Sequence, residues 1–433
     1  MAVSARNDGQ QIEIQLGHLC NNVCAFCVSG QLTQQGLAKR IDLQPVVSVL
    51  EEARTQGVQR VTFLGGEPTI QRSFLPALEK AVELGFQDIV IFTNLVRGRE
   101  PRFLERVTSM GSFTWRVSIQ GGNEEAHDAV VGRAGAFAKI IQGLKWLREH
   151  GQDMTANSCI NEESYRSAPD YVDLVQSTGL RQLHLDMVRP GSTGVRSEEH
   201  MENLLARYTD IAGPLGAMLD GFDAWNPDFE VNIGNLPFCV LPRHAHRIVH
   251  GGEETLTVTT DDEGELGRIW DKYSYQGADK VLAPTCAECV FRPHCRGVPA
   301  GYAEMYGVSE LSAVSAEEQA QLDPRVGRWL RTGWRPGREA PASEQRSLAR
   351  VVKLARRLRQ SGPYAGWAVT SVESTSSRSA SVTLSRDDEH IAVQIQAHPG
   401  QRPPVKVSFD LPEGVAESTL RDPVDAVARV LRG

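Results

Sequence analysis

Between residues 12 and 190, short runs rich in Val, Ile, Phe and Leu alternate with longer stretches in which apolar residues recur every three or four positions. The first pattern has the two-residue period of strands, the second the 3.6-residue period of helices. Strands are predicted at 12–16, 60–64, 88–93, 114–119, 154–159 and 182–187, and helices at 44–55, 73–84, 101–110, 137–149 and 167–177. Regular alternation of the two is the signature of βα units around a parallel sheet. The predicted fold class is therefore α/β, a partial TIM-like barrel of six βα units.

Beyond residue 190 the pattern changes. A helix-like segment at 198–219 leads into a loop-rich extension dense in Gly, Pro, His and Cys. Residues 325–342 (RVGRWLRTGWRPGREAPA) read as a linker, with breakers too frequent for a regular element. Ser343 is placed to cap an amphipathic helix reaching 360, and alternating runs at 367–373, 378–385, 390–396 and 405–409 predict a small antiparallel sheet before a last helix near 423–432. The expected domains are a barrel over 1–195, the extension over 196–324, a linker over 325–342 and a small α+β module over 343–433.

The chain has 433 residues, 41% of them hydrophobic, enough for more than one core. Its net charge is −8, yet 325–359 holds eleven Lys or Arg against Glu339 and Glu344, a local +9 that leaves −17 for the rest. A polyanion would be repelled by most of this surface, so nucleic acid is not an expected partner. The basic helix is read first as a solvated face and otherwise as a dock for an acidic peptide or RNA. No apolar run reaches eighteen residues, and the start MAVSARNDGQQ lacks the apolar stretch of a secretory leader, so a cytoplasmic location and no membrane partner are expected.

The eight cysteines are too few for a disulfide framework in a chain of this length, and six of them fall in two tight groups. Cys20, Cys24 and Cys27 follow the first strand as Cys-x3-Cys-x2-Cys. Three thiolates on one loop can hold three corners of an iron–sulfur cubane and leave the fourth iron open. The alternative is a zinc knuckle completed by His18. Gly65-Gly66-Glu67-Pro68 follows the second strand and Asn94 the third, while Ser118 and Gln120 close the fourth. Parallel βα units gather functional groups at this carboxyl edge.

On these residues the chain resembles the radical SAM superfamily. Phe26 precedes the last cysteine as in that family's signature, Gly65 to Thr69 match its Gly-Gly-Glu-Pro motif, and Val117-Ser118-Ile119-Gln120-Gly121 match its fourth-strand segment. His127-Asp128 and Arg133 also fall where related enzymes carry them, while Leu95 departs from the family's Thr-Asn-Gly at the position of a tight turn. The resemblance implies a SAM-binding [4Fe-4S] cluster on Cys20, Cys24 and Cys27, and S-adenosylmethionine chelating the open iron. The backbone of Gly65 to Glu67, ahead of Pro68, would receive its amine, Ser118 and Arg133 would hold its carboxylate, and Asn94 and Gln120 would complete the cofactor site. It implies radical hydrogen abstraction after an electron arrives from a reducing partner such as flavodoxin or ferredoxin.

Cys286, Cys289 and Cys295, with Cys239 as fourth ligand, form the second group, suited to one auxiliary [4Fe-4S] cluster or a structural zinc ion, with His244, His246, His250 and His294 nearby. Cys286 to Tyr306 resembles the SPASM and twitch extensions of peptide-modifying radical SAM enzymes. Pro299 stands where the fuller version carries another cysteine, which argues for a single auxiliary cluster. Cys159 is left over and is read as a core residue. Three functions follow: a peptide or protein maturase first, then a small-molecule or cofactor-biosynthesis enzyme, and last a non-catalytic iron–sulfur or zinc protein.

Overall fold

The computed structural model describes residues 11–188, 203–250, 255–261, 264–271 and 280–333, and towards the C-terminus 335–336, 358, 362–364, 366–376, 379–387, 389–397, 405–410, 422–427 and 429. The six predicted strands are all present: β1 Gln11–Gln15, β2 Arg60–Leu64, β3 Asp88–Thr93, β4 Thr114–Ser118, β5 Asp153–Ile160 and β6 Gln182–Met187. They pair in chain order and in parallel. The sheet also runs further on both sides. β7 (Glu230–Gly234) and β8 (Ile248–Val249) continue it beyond β6, and β9 (Thr255–Val258) lies parallel to β1 with the short antiparallel β10 (Trp270–Asp271) outside it. Among the described residues, nine strands are thus parallel in an open ten-stranded sheet.

Helices α1 Val28–Gln34, α2 Leu43–Thr55, α3 Phe74–Glu83, α4 Pro101–Thr108, α5 Glu124–Val131, α6 Ala136–Glu149 and α7 Tyr171–Thr178 connect the strands. α1 and α5 add to the predicted helices. The predicted helix at 198–219 is instead α8, Tyr208–Trp225, and the first part of that prediction lies outside the described residues.

The strands are two-faced. Ile12, Ile14, Val61, Phe63, Trp115, Val117, Leu183 and Leu185 are buried in one core with the helices. The alternate positions are mostly polar: Gln11, Glu13 and Gln15 on β1, Arg116 and Ser118 on β4, Thr155, Asn157 and Cys159 on β5, and His184 and Asp186 on β6. An ordinary barrel interior is packed with branched apolar side chains. This one is lined for hydrogen bonding.

Past the barrel, β11 (Lys280–Val281) pairs with β12 (Val298–Pro299), and α9 (Ala300–Tyr306) and α10 (Ala316–Gln321) follow. The linker expected at 325–342 is corrected in its first part, where α11 spans Pro324–Thr332. Its breakers sit at its ends: Pro324 at the first helical position, capped by Asp323, and Gly333 in the left-handed conformation after the last turn. Val326 and Trp329 are buried, and Arg325 binds Asp223 of α8. The helix predicted over 343–360 lies outside the described residues except for the buried Leu358. The C-terminal sheet is an antiparallel meander of β13 Ala368–Ser376, β14 Ser379–Arg386, β15 Glu389–Ala397 and β16 Val405–Asp410, with a separate core that includes Trp367, Val382, Ile391 and Val427. No helix among the described residues is long and apolar enough to cross a membrane.

Candidate functional site

The three motifs meet at the carboxyl edge of β1 to β4. The β2 loop lies directly on the β1 loop, since Gly66 N–H donates to Gly17 O (2.8 Å) and Glu67 N–H to Leu19 O (3.0 Å). A Cβ at Gly66 would stand 2.2 Å from His18 O and 2.5 Å from Leu19 O, so only glycine permits the approach. The cysteine loop is held from its other side by Val23 and Ala25, whose N–H groups donate to Val131 O and Val130 O at the end of α5.

Glu67 is buried and acts as a hub. Its Oε1 accepts from Thr69 N–H (3.1 Å), Thr69 Oγ1 (2.5 Å) and Thr93 Oγ1 (2.6 Å), and its Oε2 from Asn94 N–H (2.7 Å). Burial raises its pKa while these bonds oppose the rise. The Glu67 carboxylate therefore faces protein, and its carbonyl accepts from Gln71 Nε2 (3.3 Å). The carbonyls of Gly65 and Gly66 accept no hydrogen bond among the described residues, so they are the acceptors left for an amine.

Leu95 makes the turn that a glycine was expected to make, at φ 51° and ψ 21°, left-handed although it carries a side chain. Gln120 is a tie between strands: its N–H donates to His127 Nδ1 (3.0 Å), and its Oε1 accepts from Cys159 N–H (2.8 Å). His127 therefore presents an acceptor at Nδ1, and burial pushes its pKa down to about 4. Asp128 accepts from Phe137 N–H (2.9 Å) at the start of α6. Ser118 at the end of β4 and the exposed Arg133 after α5 have no side-chain partner among the described residues. A Cβ on Gly132 would stand 2.7 Å from Val23 Cγ2, which puts the Arg133 turn against the cysteine loop.

The donor set of the first loop suits an iron–sulfur cluster. Cys20 Sγ accepts from Asn22 N–H (3.4 Å), and burial together with the Glu67 carboxylate pushes its thiol up to about 12; the Cys24 thiol is raised well above its usual value by burial and by Cys27 and Cys20. Without cations these thiols stay protonated, so metal binding must expel protons. His18, the expected zinc ligand, is engaged at both ring nitrogens, with Ser29 Oγ (2.9 Å) and Thr260 O (2.9 Å).

The second group comes together in space. Cys239, Cys286, Cys289 and Cys295 line one small pocket, whose walls include Phe238, Leu282, Phe291 and Leu311. Val314 N–H donates to Cys289 Sγ (3.3 Å) and Gly297 N–H to Cys295 Sγ (3.4 Å). The four neighbouring histidines do not line it. His250 binds Leu236 O (2.5 Å) and Arg296 N–H (3.0 Å), His244 binds Asp220 (3.1 Å), and His294 packs on Trp329. The donor set is four thiols. No three His, Cys, Asp or Glu among the described residues converge as ligands of one ion. Cubane ligands need not, because each binds a different iron.

Cys159 corrects the sequence reading. β5 alternates, so Cys159 lies half-buried on the inner face, directly across from Asp186 on β6, and packs, as Phe26 of the cysteine loop does, against the small cluster of Val188 and Leu205 rather than in the main core. The polar inner row was also missed. Ser118, Asn157, His184 and Asn232 stand in register across β4 to β7, and His184 Nε2 lies 3.0 Å from Asp186 Oδ2. The signal was available as polar residues at every second strand position.

Comparison with known proteins agrees with this geometry. Residues 14–175 match the family model of the radical SAM superfamily. The PqqA peptide cyclase of Rhodopseudomonas palustris is 25% identical over 303 residues, covering 64% of this chain and 78% of that protein. A probable GTP 3′,8-cyclase of Saccharolobus solfataricus is 25% identical over 187 residues, covering 43% of this chain and 59% of that protein. The structure of anSMEcpe with bound AdoMet shares the fold with a TM-score of 0.51 at 16% identity, covering 74% of this chain and 99% of that one. By the family-model match and the loops that meet at its sheet edge, residues 14–175 form a radical SAM domain, followed by a cysteine extension that resembles the SPASM type.

Proposed function

We propose that the chain is a peptide- or protein-modifying radical SAM enzyme whose first cluster sits on Cys20, Cys24 and Cys27 and whose auxiliary cluster sits on Cys239, Cys286, Cys289 and Cys295. When bound, the reduced cluster and S-adenosylmethionine supply a 5′-deoxyadenosyl radical that takes a hydrogen atom from the substrate. The protein's own part is placement. The Gly65 and Gly66 carbonyls accept from the amine of the methionyl group, while the Arg133 fork and the Ser118 hydroxyl donate to its carboxylate. Pro68 fixes the turn beneath them, and Gln120 and Asn94 hold the surrounding loops in place. The surrounding barrel excludes water and competing hydrogen donors.

The lining of the barrel carries the peptide reading. Asn157, His184 and Asn232 offer donors and acceptors suited to peptide amides. Among the described residues, cations suited to a triphosphate are scarce there: Arg60 is paired with Asp88 (2.6 Å), Arg181 is paired with Asp153, and Arg116 lies over the Phe92 ring at 5.5 Å. The relative named for a peptide substrate is also matched over more of its length than the one named for GTP. Catalysis would take place in the cytoplasm with a flavodoxin or ferredoxin as electron donor.

The test is anaerobic reconstitution followed by reduction. About eight irons and eight sulfides per chain are expected, falling to about four when Cys20, Cys24 and Cys27 are replaced together by Ala. Reduced protein should release 5′-deoxyadenosine slowly, and faster with a peptide encoded beside its gene. Stimulation by GTP and not by that peptide would overturn the peptide reading, and eight irons in the triple variant would overturn the first cluster site.

A further inference from the structure

We propose that Asn94 is a positioning residue for the first cluster and that its carboxamide tunes the cluster's reduction potential by donating to the Cys20 sulfur. The inference rests on the reading that Cys20, Cys24 and Cys27 hold that cluster.

Asn94 is buried at the end of β3, and every polar atom of its side chain is committed. Oδ1 accepts from Val96 N–H (3.1 Å), closing a turn of the kind that Asn, Asp and Ser side chains make with the backbone two residues on. That bond decides which way the amide points. Nδ2 then faces the cysteine loop, donating to Asn21 Oδ1 (2.7 Å) and lying 3.7 Å from Cys20 Sγ. Exchanging oxygen and nitrogen would set acceptor against acceptor at Asn21 and donor against donor at Val96.

The platform under this side chain is rigid. The Asn94 N–H is held by Glu67 Oε2 (2.7 Å), and the next N–H, of Leu95, is held by Thr93 Oγ1 (2.9 Å), which itself donates to Glu67 Oε1 (2.6 Å). The Gly-Gly-Glu-Pro segment is thus joined to Cys20 through Asn94, and the position of the donor is set by backbone bonds rather than by a free rotamer. Asn22 N–H supplies a second donor to the same sulfur (3.4 Å).

A donor at a cluster sulfur withdraws charge and stabilises the reduced state, which carries one more electron. Removing it must lower the potential and make the cluster harder to reduce. Two variants keep the turn while removing the donor. Asn94→Ser can still accept from Val96 N–H but is too short to reach Cys20. Asn94→Asp accepts from Val96 N–H and places a carboxylate oxygen where the NH2 group stood.

The experiment is a redox titration of reconstituted full-length protein, followed by electron paramagnetic resonance of the signal that disappears in Cys20→Ala. The midpoint is expected to fall in Asn94→Ser and further in Asn94→Asp, with unchanged iron content. In Asn21→Ala, which removes the loop contact but not the donor to sulfur, the midpoint should stay at the wild-type value. Equal midpoints in wild type, Asn94→Ser and Asn94→Asp would overturn the inference, as would a fall in Asn21→Ala as large as that in Asn94→Ser. Absence of any Cys20-dependent signal in the wild type would instead overturn the underlying reading of the first loop.

Discussion

Leu95 offers a test in which the usual ranking of two substitutions reverses. Its side chain is 1% exposed and its backbone is left-handed, so it combines a favourable packing term with an unfavourable conformational one. A Cβ on Gly98 would stand 2.9 Å from Leu95 Cγ, and one on Gly143 of α6 2.9 Å from Leu95 Cδ2, so the leucine fills the space that two glycines leave. Leu95→Ala removes that packing but keeps a Cβ, and should cost about 3 kcal/mol within the usual range for a buried leucine. Leu95→Gly loses the same contacts and adds about 0.7 kcal/mol of unfolded-chain entropy. It also releases the left-handed strain, worth about 1.5 kcal/mol. The net is about 2 kcal/mol, so glycine is expected to be the milder change by roughly 0.8 kcal/mol, close to a fourfold difference in the opening equilibrium. Amide hydrogen exchange along β3 reads this locally, without requiring the whole chain to unfold in one step. A Leu95→Gly protein whose β3 amides exchange as fast as those of Leu95→Ala, or faster, would refute the reasoning.

Other predictions concern the site. Gly66→Ala must move the β2 loop off the His18 and Leu19 carbonyls, so reconstituted protein should lose most of the Cys20-dependent cluster while keeping the auxiliary one, which iron counting and spectroscopy check. Arg133→Ala should weaken S-adenosylmethionine binding by roughly ten- to a hundredfold, the worth of one charged hydrogen bond, and an unchanged dissociation constant would remove Arg133 from the site. Cys286→Ala should abolish turnover of the true substrate while leaving basal S-adenosylmethionine cleavage largely intact, because a cavity with three thiols in place of four loses its cluster and loosens only the extension. The check is to measure both reactions in a soluble variant that retains the first cluster; normal substrate turnover would show the second group to be dispensable.

Local pattern carried the barrel far. The six strands from 12 to 187 are recognisable because each alternates an apolar residue for the helix-side core with a residue for the interior, and the C-terminal meander shows the same alternation. The three motifs were legible for a related reason. Their spacing along the chain fixes which strand ends they occupy, and a parallel sheet brings those ends to one edge. β7, β8 and β9 were not legible. β8 and β9 are short, and the pairing of all three depends on contacts far along the chain, as when Gln182 meets Glu230 and Gln11 meets Thr255. α11 was misread because the proline and glycine that start and stop it look like breakers until the helix between them is seen to bury Val326 and Trp329.

The sequence by itself determined the fold class, the two cysteine groups and the motif positions, since these follow from period and spacing. Only the tertiary structure decided how the groups bear on one another. It gave Glu67 to Thr93 and Asn94 rather than to a ligand, brought Cys239 to the other three thiols, occupied both nitrogens of His18, and turned Cys159 inward towards Asp186. Each of these depends on residues that lie far apart in the chain meeting in space, where burial demands that every polar atom find a partner and so fixes which partner it takes.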